Sequence, residues 1–216
     1  MQIFVDTANI DQIRQAAKLG VISGVTTNPS LLSKESTSDY EAVIKTICSI
    51  VSGSVSAEVL SEDAESMVKE ARTKASWAPN VTVKIPCNAA GIQATSIISQ
   101  EKIEINMTLC FSVNQALLAA LAGATYISIF VGRLDDIGHD GMQIVKDTVE
   151  ILTHHQLPTK VIAASIRHPL HCVAAARAGS HIATVPYNIL MQMIQHPLTD
   201  IGINRFLADW QRVSPK

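Results

Sequence analysis

The chain has 216 residues, of which 47% are hydrophobic, and carries a formal net charge of −2 at pH 7. This length suits one domain, or two small ones, that can bury a large core without disulfide bonds or a structural metal. The slight negative charge argues against nucleic acid or an anionic membrane surface as the main partner, although two or three arginines could still bind a small phosphate.

Short β-branched runs alternate along the chain with longer segments in which apolar residues recur three and four positions apart. In chain order, the predicted strands are residues 2–5, 24–26, 55–58, 81–85, 103–108, 126–130, 160–164 and 182–185. Ser38 or Asp39 is expected to cap the second helix and Ser112 the fifth.

Alternating strands and helices predict a parallel sheet with right-handed crossovers. Eight such units favour an α/β fold, a single-domain (β/α)8 TIM barrel over residues 1–216. An open doubly wound sheet is the alternative, but no glycine-rich phosphate loop follows the first strand.

Residues 198–216 remain after the eighth unit and predict an extra C-terminal helix. Its apolar face would comprise Ile203, Phe206, Leu207 and Trp210. We expect this helix to pack on a neighbouring subunit, with packing on its own barrel as an equal alternative.

The remaining compositional signals indicate a cytoplasmic protein. Cys48, Cys87, Cys110 and Cys172 form neither a C-x-x-C pair nor a zinc spacing, so we expect reduced thiols. The first ten residues alternate like a strand rather than a signal peptide, and the apolar stretch 116–131 is too short and too polar to span a bilayer.

Enzymes with this fold carry their chemistry at the carboxyl ends of the strands. Seven of the eight predicted units have polar residues there. These are Asp6, residues 26–30, Glu58, Lys84, Asn106 with Thr108, Ser128 with Phe130 and Arg133, and Ser165 with Arg167.

Lys84 lies inside the run VTVKIP, where a parallel strand is covered on both faces. Burial disfavours the ammonium form of an amine, and the neutral amine is the form that attacks a carbonyl to make an imine. The alternative is a strand-edge lysine whose stem reaches water.

Asp6 and Glu58 could pair with this amine or move protons. Taken alone, Asp6 is better explained as a cap for the helix starting near Asn9, and Glu58 as a solvated residue after a strand. Three ionisable groups at neighbouring strand ends favour the catalytic interpretation.

Arg133 and Arg167, with Ser165 close by, match the oxygen geometry of a phosphate ester. Ordinary surface pairing, for example of Arg133 with Asp135 or Asp136, is an equal alternative. His168 and His171 form an H-x-x-H pattern without a third ligand, so we expect capping and packing there, and no metal.

Six ordered motifs resemble the small transaldolase subfamily, whose close relatives are fructose-6-phosphate aldolases. They are FVDTAN, GVTTNPSLL, VTVKIP, INMTLCFS, FVGRLDDIG-DG and AASIR, and they cover essentially the whole chain. The resemblance implies transfer of a dihydroxyacetone unit between sedoheptulose 7-phosphate and the glyceraldehyde 3-phosphate/erythrose 4-phosphate couple, forming fructose 6-phosphate in the non-oxidative pentose phosphate pathway. It also implies a pentameric or decameric homo-oligomer and no cofactor.

The resemblance assigns roles to single positions. Lys84 would form the Schiff base, Asp6 would exchange the proton of the C4 hydroxyl, and Glu58 with Thr108 would hold a water. Substrate contacts are implied for Asn28, Asn106, Ser128, Phe130, Arg133, Ser165 and Arg167.

Three of these positions favour a transaldolase over a fructose-6-phosphate aldolase. The aldolases typically have Gln at the position of Glu58 and Tyr at that of Phe130, and they lack an Asn at that of Asn106. A non-catalytic barrel that binds phosphosugars is a third possibility, but a mere binder has no use for a desolvated amine.

Overall fold

The computed structural model describes residues 1–35 and 39–213. Eight parallel strands close into a barrel in the order β1 to β8, with β8 paired to β1. The strands are β1 Gln2–Asp6, β2 Ile22–Thr26, β3 Ser54–Glu58, β4 Val81–Pro86, β5 Ile105–Cys110, β6 Tyr126–Phe130, β7 Lys160–Ala164 and β8 Ile182–Pro186. The predicted (β/α)8 barrel is therefore confirmed.

Helices follow the strands and form an outer layer. They are α1 Ile10–Lys18, α2 Pro29–Leu32, α3 Tyr40–Ile50, α4 Ala64–Ala75, α5 Ala89–Ile98, α6 Val113–Leu121, α7 Val131–Asp135, α8 Gly141–His154, α9 Pro169–Arg177, α10 Tyr187–Gln192 and α11 Pro197–Val213. The short helices α2 and α7 directly follow β2 and β6 and help to form the carboxyl end of the barrel. In the described part of the chain, every helix is too short or too polar to cross a membrane.

The predicted boundaries of β6 and β7 are confirmed, whereas β5 is shifted by two residues. A 3₁₀ turn at Ser99–Glu101 ends at Lys102, which has a left-handed backbone, so the strand begins at Ile105 instead of 103. At its other end, Leu109 adopts a φ of 54° in a bulge, and the strand continues to Cys110.

The helix caps decide one ambiguity about the site. Asn9, rather than Asp6, caps α1, because its Oδ1 accepts from Gln12 N at 3.0 Å. The carboxylate of Asp6 is therefore not used as a cap. Asp39 caps α3 and Ser112 caps α6 as predicted, while Ser38 lies outside the described residues.

The barrel interior holds both apolar and polar side chains. Phe4, Tyr126, Ile162 and Ile182 form an apolar cluster of their own. Polar side chains also occupy the interior, where Ser54 Oγ lies 2.7 Å from Thr82 Oγ1, and Thr82 in turn donates to Glu104 at 3.1 Å. Because these groups bond to one another, their burial is tolerated.

Helix α11 begins at Pro197, close to the predicted start, and has no buried residue on its own barrel. The side chains of Phe206 and Trp210 are 73% and 66% exposed. The described residues of the chain therefore leave this apolar face uncovered, and docking on a neighbouring subunit stays a prediction.

Candidate active site

A cavity of about 280 Å³ opens at the carboxyl end of the barrel. Eight of the eleven predicted site residues line it: Asp6, Asn28, Lys84, Ser128, Phe130, Arg133, Ser165 and Arg167. Two of the other three flank the lysine, because Glu58 and Asn106 are its register partners on β3 and β5. The barrel thus brings predicted residues from seven strand ends to this cavity or to the lysine that lines it.

Lys84 is buried, with 4% of its surface exposed. Its Nζ lies 2.9 Å from Glu58 Oε2 and donates to the Thr27 carbonyl at 3.1 Å. The amine therefore does not reach solvent along a strand edge. Glu58 is close enough to accept the proton that the amine must lose before it can act as a nucleophile.

Asp6 is held by the hydroxyl of Thr26, which is in turn bonded to that of Thr184. Its Oδ1 accepts from Thr26 Oγ1 at 2.7 Å, and Thr26 Oγ1 lies 2.6 Å from Thr184 Oγ1. Burial raises the pKa of the Asp6 carboxyl above its usual value, and the Glu58 charge adds to this, whereas the Thr26 bond and the Lys84 charge oppose it. A carboxyl with a raised pKa is suited to exchanging a proton with substrate.

Asn106 is fully buried and bonded at both ends of its amide. Its Nδ2 donates to Ser56 Oγ at 3.0 Å, and its Oδ1 accepts from Ser128 Oγ at 2.8 Å. On the same strand, Thr108 Oγ1 is buried and makes no hydrogen bond within the described part of the chain. A buried hydroxyl without a hydrogen-bond partner among the described residues is a candidate for contact with a bound molecule.

Asn28 occupies the junction between β2 and α2. Its Oδ1 accepts from Leu31 N at 2.9 Å and caps the helix, and Pro29 begins the first turn. This bond fixes the side chain at the cavity wall while its amide nitrogen keeps two donors. Ser30 and Lys34 line the same side of the cavity.

The two arginines differ in their partners. Arg167 pairs with Asp136 at 2.7 Å, with both side chains about half exposed. Arg167 therefore does form an ordinary surface pair. Arg133 forms no ion pair within residues 1–35 and 39–213, and its Cζ lies 4.8 Å from the centre of the Phe130 ring. Because an exposed pair is weak, Arg167 remains available to an anion in the cavity that it lines.

Gly132 allows α7 to approach the end of β7. Its N–H donates to the Ser165 carbonyl at 3.1 Å, and a Cβ at this position would lie 2.1 Å from that oxygen. Ser165 itself has a φ of 58°, a left-handed conformation that is uncommon for a non-glycine residue. This close contact brings Arg133 next to Ser165 and Arg167.

The H-x-x-H pair contacts the loop that carries Arg167. His171 Nδ1 accepts from Arg167 N at 3.3 Å, its Nε2 lies 3.2 Å from Asp135, and its ring packs at a tilt against that of His168, with the ring centres 3.8 Å apart. His168 occupies the cap position of α9 but makes no side-chain cap bond, so only the packing role is confirmed. No described group of three or more His, Cys, Asp or Glu side chains could hold a metal ion.

Four residues near the site are not among the eleven predicted site residues, although some carry a sequence signal. Thr184 lies two positions after the inward-facing Ile182, so the period of a strand could have identified it. Thr26 and Thr27 belong to a recognised motif. Tyr40, whose hydroxyl reaches the end of β3, begins a helix and has no local pattern that indicates this contact.

The chain is similar to known proteins over its whole length. Residues 3–215 match the family described as Transaldolase/Fructose-6-phosphate aldolase. A probable transaldolase of Dehalococcoides mccartyi is 60% identical over 214 residues, which is 99% of both chains. Probable transaldolases of Desulforudis audaxviator and Heliobacterium modesticaldum are each 59% identical over the full 216 residues of both chains.

Proposed function

We propose that this chain, which belongs to the transaldolase/fructose-6-phosphate aldolase family, is a transaldolase that forms a Schiff base through Lys84. The observation that carries the proposal is the buried Lys84 Nζ, 2.9 Å from the Glu58 carboxylate, in a cavity that Asp6 also lines. A buried amine in contact with one carboxylate and sharing a cavity with a second suits imine chemistry on a sugar carbonyl.

The substrate would be a ketose phosphate such as sedoheptulose 7-phosphate. Its phosphate would bind Arg133, Ser165 and Arg167 at one side of the cavity, and its carbonyl carbon would lie against Lys84. Asn28, Ser128 and Asn106 would meet the hydroxyls near the carbonyl. Because Asn106 already bonds two serines, its contribution would be one further amide hydrogen.

Imine formation requires proton transfers and loss of a water. Glu58 would accept the proton from the Lys84 ammonium, and the neutral amine would then add to the C2 carbonyl. The hydroxyl of the resulting carbinolamine would leave as water, with Glu58 returning the proton. Thr108 Oγ1, which is buried without a partner among the described residues, would hold that water with Glu58.

Cleavage would follow once the iminium is in place. Asp6 would take the proton of the C4 hydroxyl, the C3–C4 bond would break, and its electron pair would move into the iminium to give an enamine. A seven-carbon donor would release erythrose 4-phosphate and leave a three-carbon unit on Lys84. Addition of that unit to glyceraldehyde 3-phosphate, followed by hydrolysis, would release fructose 6-phosphate.

The alternative within the family is a fructose-6-phosphate aldolase, which releases free dihydroxyacetone. Glu58, Phe130 and Asn106 favour the transferase by resemblance. A non-catalytic barrel that binds phosphosugars is the remaining alternative, and the Lys84–Glu58–Asp6 arrangement argues against it. No step of the proposed reaction needs a metal, a nucleotide or a flavin.

A transfer assay separates these functions. The protein is supplied with fructose 6-phosphate, and release of glyceraldehyde 3-phosphate is measured with and without erythrose 4-phosphate. A transaldolase depends on the acceptor, an aldolase releases the aldehyde equally well without it, and a binding protein releases none. Release that does not depend on acceptor would reject the proposal.

The proposal extends to assembly and location. The uncovered apolar face of α11 supports a homo-oligomer in which this helix packs on a neighbouring subunit, a pentamer or decamer by analogy. The four cysteines are free thiols, which supports a reducing cytoplasm as the location. The partners would be sugar phosphates, with neither nucleic acid nor membrane involved.

A further inference from the structure

The Thr27 carbonyl that binds Lys84 belongs to the edge of the β2–β3 ladder. Thr27 N donates to Ser56 O at 3.4 Å just beyond the last register pair, Thr26 with Ser56. In a regular parallel ladder, the next bond would run from the Glu58 N–H to the Thr27 carbonyl. That bond would engage the carbonyl that contacts the amine.

Tyr40 replaces this ladder bond. The Glu58 N–H donates to the Tyr40 hydroxyl oxygen at 2.7 Å, although Tyr40 is the first residue of α3 and lies outside the barrel sheet. The Thr27 carbonyl is thereby left to accept from Lys84 Nζ at 3.1 Å. The Tyr40 hydroxyl thus ends the β2–β3 pairing at Thr27, whose carbonyl is the hydrogen-bond acceptor of the Lys84 amine.

The hydroxyl of Tyr40 is itself oriented. It lies beside the Thr27 side chain, whose Oγ1 donates its own proton to Ser56 O at 2.8 Å and can therefore act only as an acceptor towards the phenol. Burial raises the pKa of Tyr40 to about 12, so the hydroxyl keeps that proton at neutral pH. Its oxygen therefore has a lone pair ready for the Glu58 N–H.

The buried ammonium group of Lys74 packs over the ring of Tyr40. Lys74, which is 5% exposed, places Nζ 4.4 Å from the Tyr40 ring centre and 4.6 Å from that of Trp77. The two rings meet edge to face at 5.4 Å, and Glu70 pairs with Lys74 at 3.2 Å. A desolvated cation over two rings stabilises this arrangement and anchors the start of α3.

We propose that Tyr40 is a positioning residue for Lys84, because its hydroxyl takes the Glu58 N–H out of the strand ladder and frees the Thr27 carbonyl to hold the amine beside the Glu58 carboxylate. This inference rests on the proposed function, in which Lys84 forms the imine. Tyr40 does not touch the cavity, and its effect reaches the reacting nitrogen through Thr27 and Glu58.

The test is the rate of imine formation in the full-length protein, measured by mixing with fructose 6-phosphate and quenching with borohydride after increasing times. In Tyr40→Phe the ring remains but the Glu58 N–H returns to the Thr27 carbonyl. We expect trapping to slow roughly tenfold or more, the effect of losing one hydrogen bond to a charged group. Competitive inhibition by inorganic phosphate, which would bind at the arginines, should be unchanged.

Tyr126→Phe is the matched control. It removes a hydroxyl from another buried tyrosine, one that packs with the apolar cluster inside the barrel, and it should trap at the wild-type rate. A crystal structure of Tyr40→Phe provides a readout that a general loss of stability would not produce. It should show a bond from Glu58 N to Thr27 O, and Lys84 Nζ should have moved away from that carbonyl.

The outcomes distinguish the two proposals. If the wild-type protein forms no adduct at Lys84, the proposed function is wrong. If it does, and Tyr40→Phe traps just as fast, the function stands and the positioning role of Tyr40 is refuted. Should Tyr40→Phe fail to fold, Thr27→Val removes the hydroxyl that orients Tyr40, and it must slow trapping in the same way; a wild-type rate there overturns the inference.

Discussion

Replacement of Gly132 by alanine tests how the fold assembles the arginine site. The new Cβ would lie 2.1 Å from the Ser165 carbonyl and 2.6 Å from Arg167 Nε. To reach the 3.0 Å that such contacts need, α7 and the end of β7 must separate by about 0.9 Å. That movement would break the Gly132 N–H to Ser165 bond and displace Arg133 from Ser165 and Arg167.

The expected losses have two components. Overpacking of this kind costs about 1–3 kcal/mol, which in a domain of this size lowers the melting temperature by about 2–12 °C. Losing one hydrogen bond between an arginine and a phosphate costs about 1.5–3 kcal/mol, so kcat/KM for fructose 6-phosphate should fall about 10- to 100-fold.

Thermal unfolding and steady-state kinetics measure both components. The control is Gly202→Ala in α11, where a Cβ meets no atom within 4 Å and alanine is the better helix former. It should keep wild-type kinetics and be at least as stable. If Gly132→Ala unfolds and turns over like the wild type, the close approach of α7 to β7 does not position the arginines.

Three further predictions concern specificity, pH and assembly. Combining Glu58→Gln with Phe130→Tyr should raise the ratio of free aldol cleavage to transfer, and an unchanged ratio in the transfer assay would remove both residues as discriminators. Burial raises the pKa of Asp6, and the Thr26 bond opposes this rise. Because Asp6 must be ionised to accept the C4 proton, kcat/KM for cleavage should fall as the pH drops through this raised pKa. Thr26→Val removes the bond that lowers the pKa of Asp6, so it should move the decline in kcat/KM to higher pH. An unchanged pH profile would contradict the role of Asp6 as the proton acceptor. Removing residues 197–216 deletes a helix that buries no residue on its own barrel, so light scattering should report smaller particles with the barrel's circular dichroism retained. Particles of unchanged size would show that α11 does not join subunits.

The barrel could be predicted from the sequence because short β-branched runs, typical of strands, alternate along it with segments that have the apolar spacing of helices. Strand boundaries such as those of β6 and β7 follow from β-branched runs between helical segments. The shift of β5 was not predictable, since Lys102 and Leu109 adopt left-handed backbones that glycine would have signalled but these residues do not. Closure of the whole sheet determines where this strand begins.

The site was partly predictable for a similar reason. Lys84 stands out because a lysine inside VTVKIP is expected to be buried when the strand is covered on both faces, and the structure leaves 4% of it exposed. The choice of Arg167, rather than Arg133, as the partner of Asp136 depends on how α7 is rotated, which no local pattern specifies. Tyr40 escaped notice because its contact joins a helix start to two strand ends that lie apart in the chain.

In the proposed reaction, the amine of Lys84 forms the covalent bond to substrate. Reducing the protein with borohydride in the presence of fructose 6-phosphate and mapping the modified peptide by mass spectrometry tests it most directly. We predict one adduct, on Lys84, that disappears in Lys84→Met. An adduct on another lysine, or trapping that persists in this variant, would contradict the assignment.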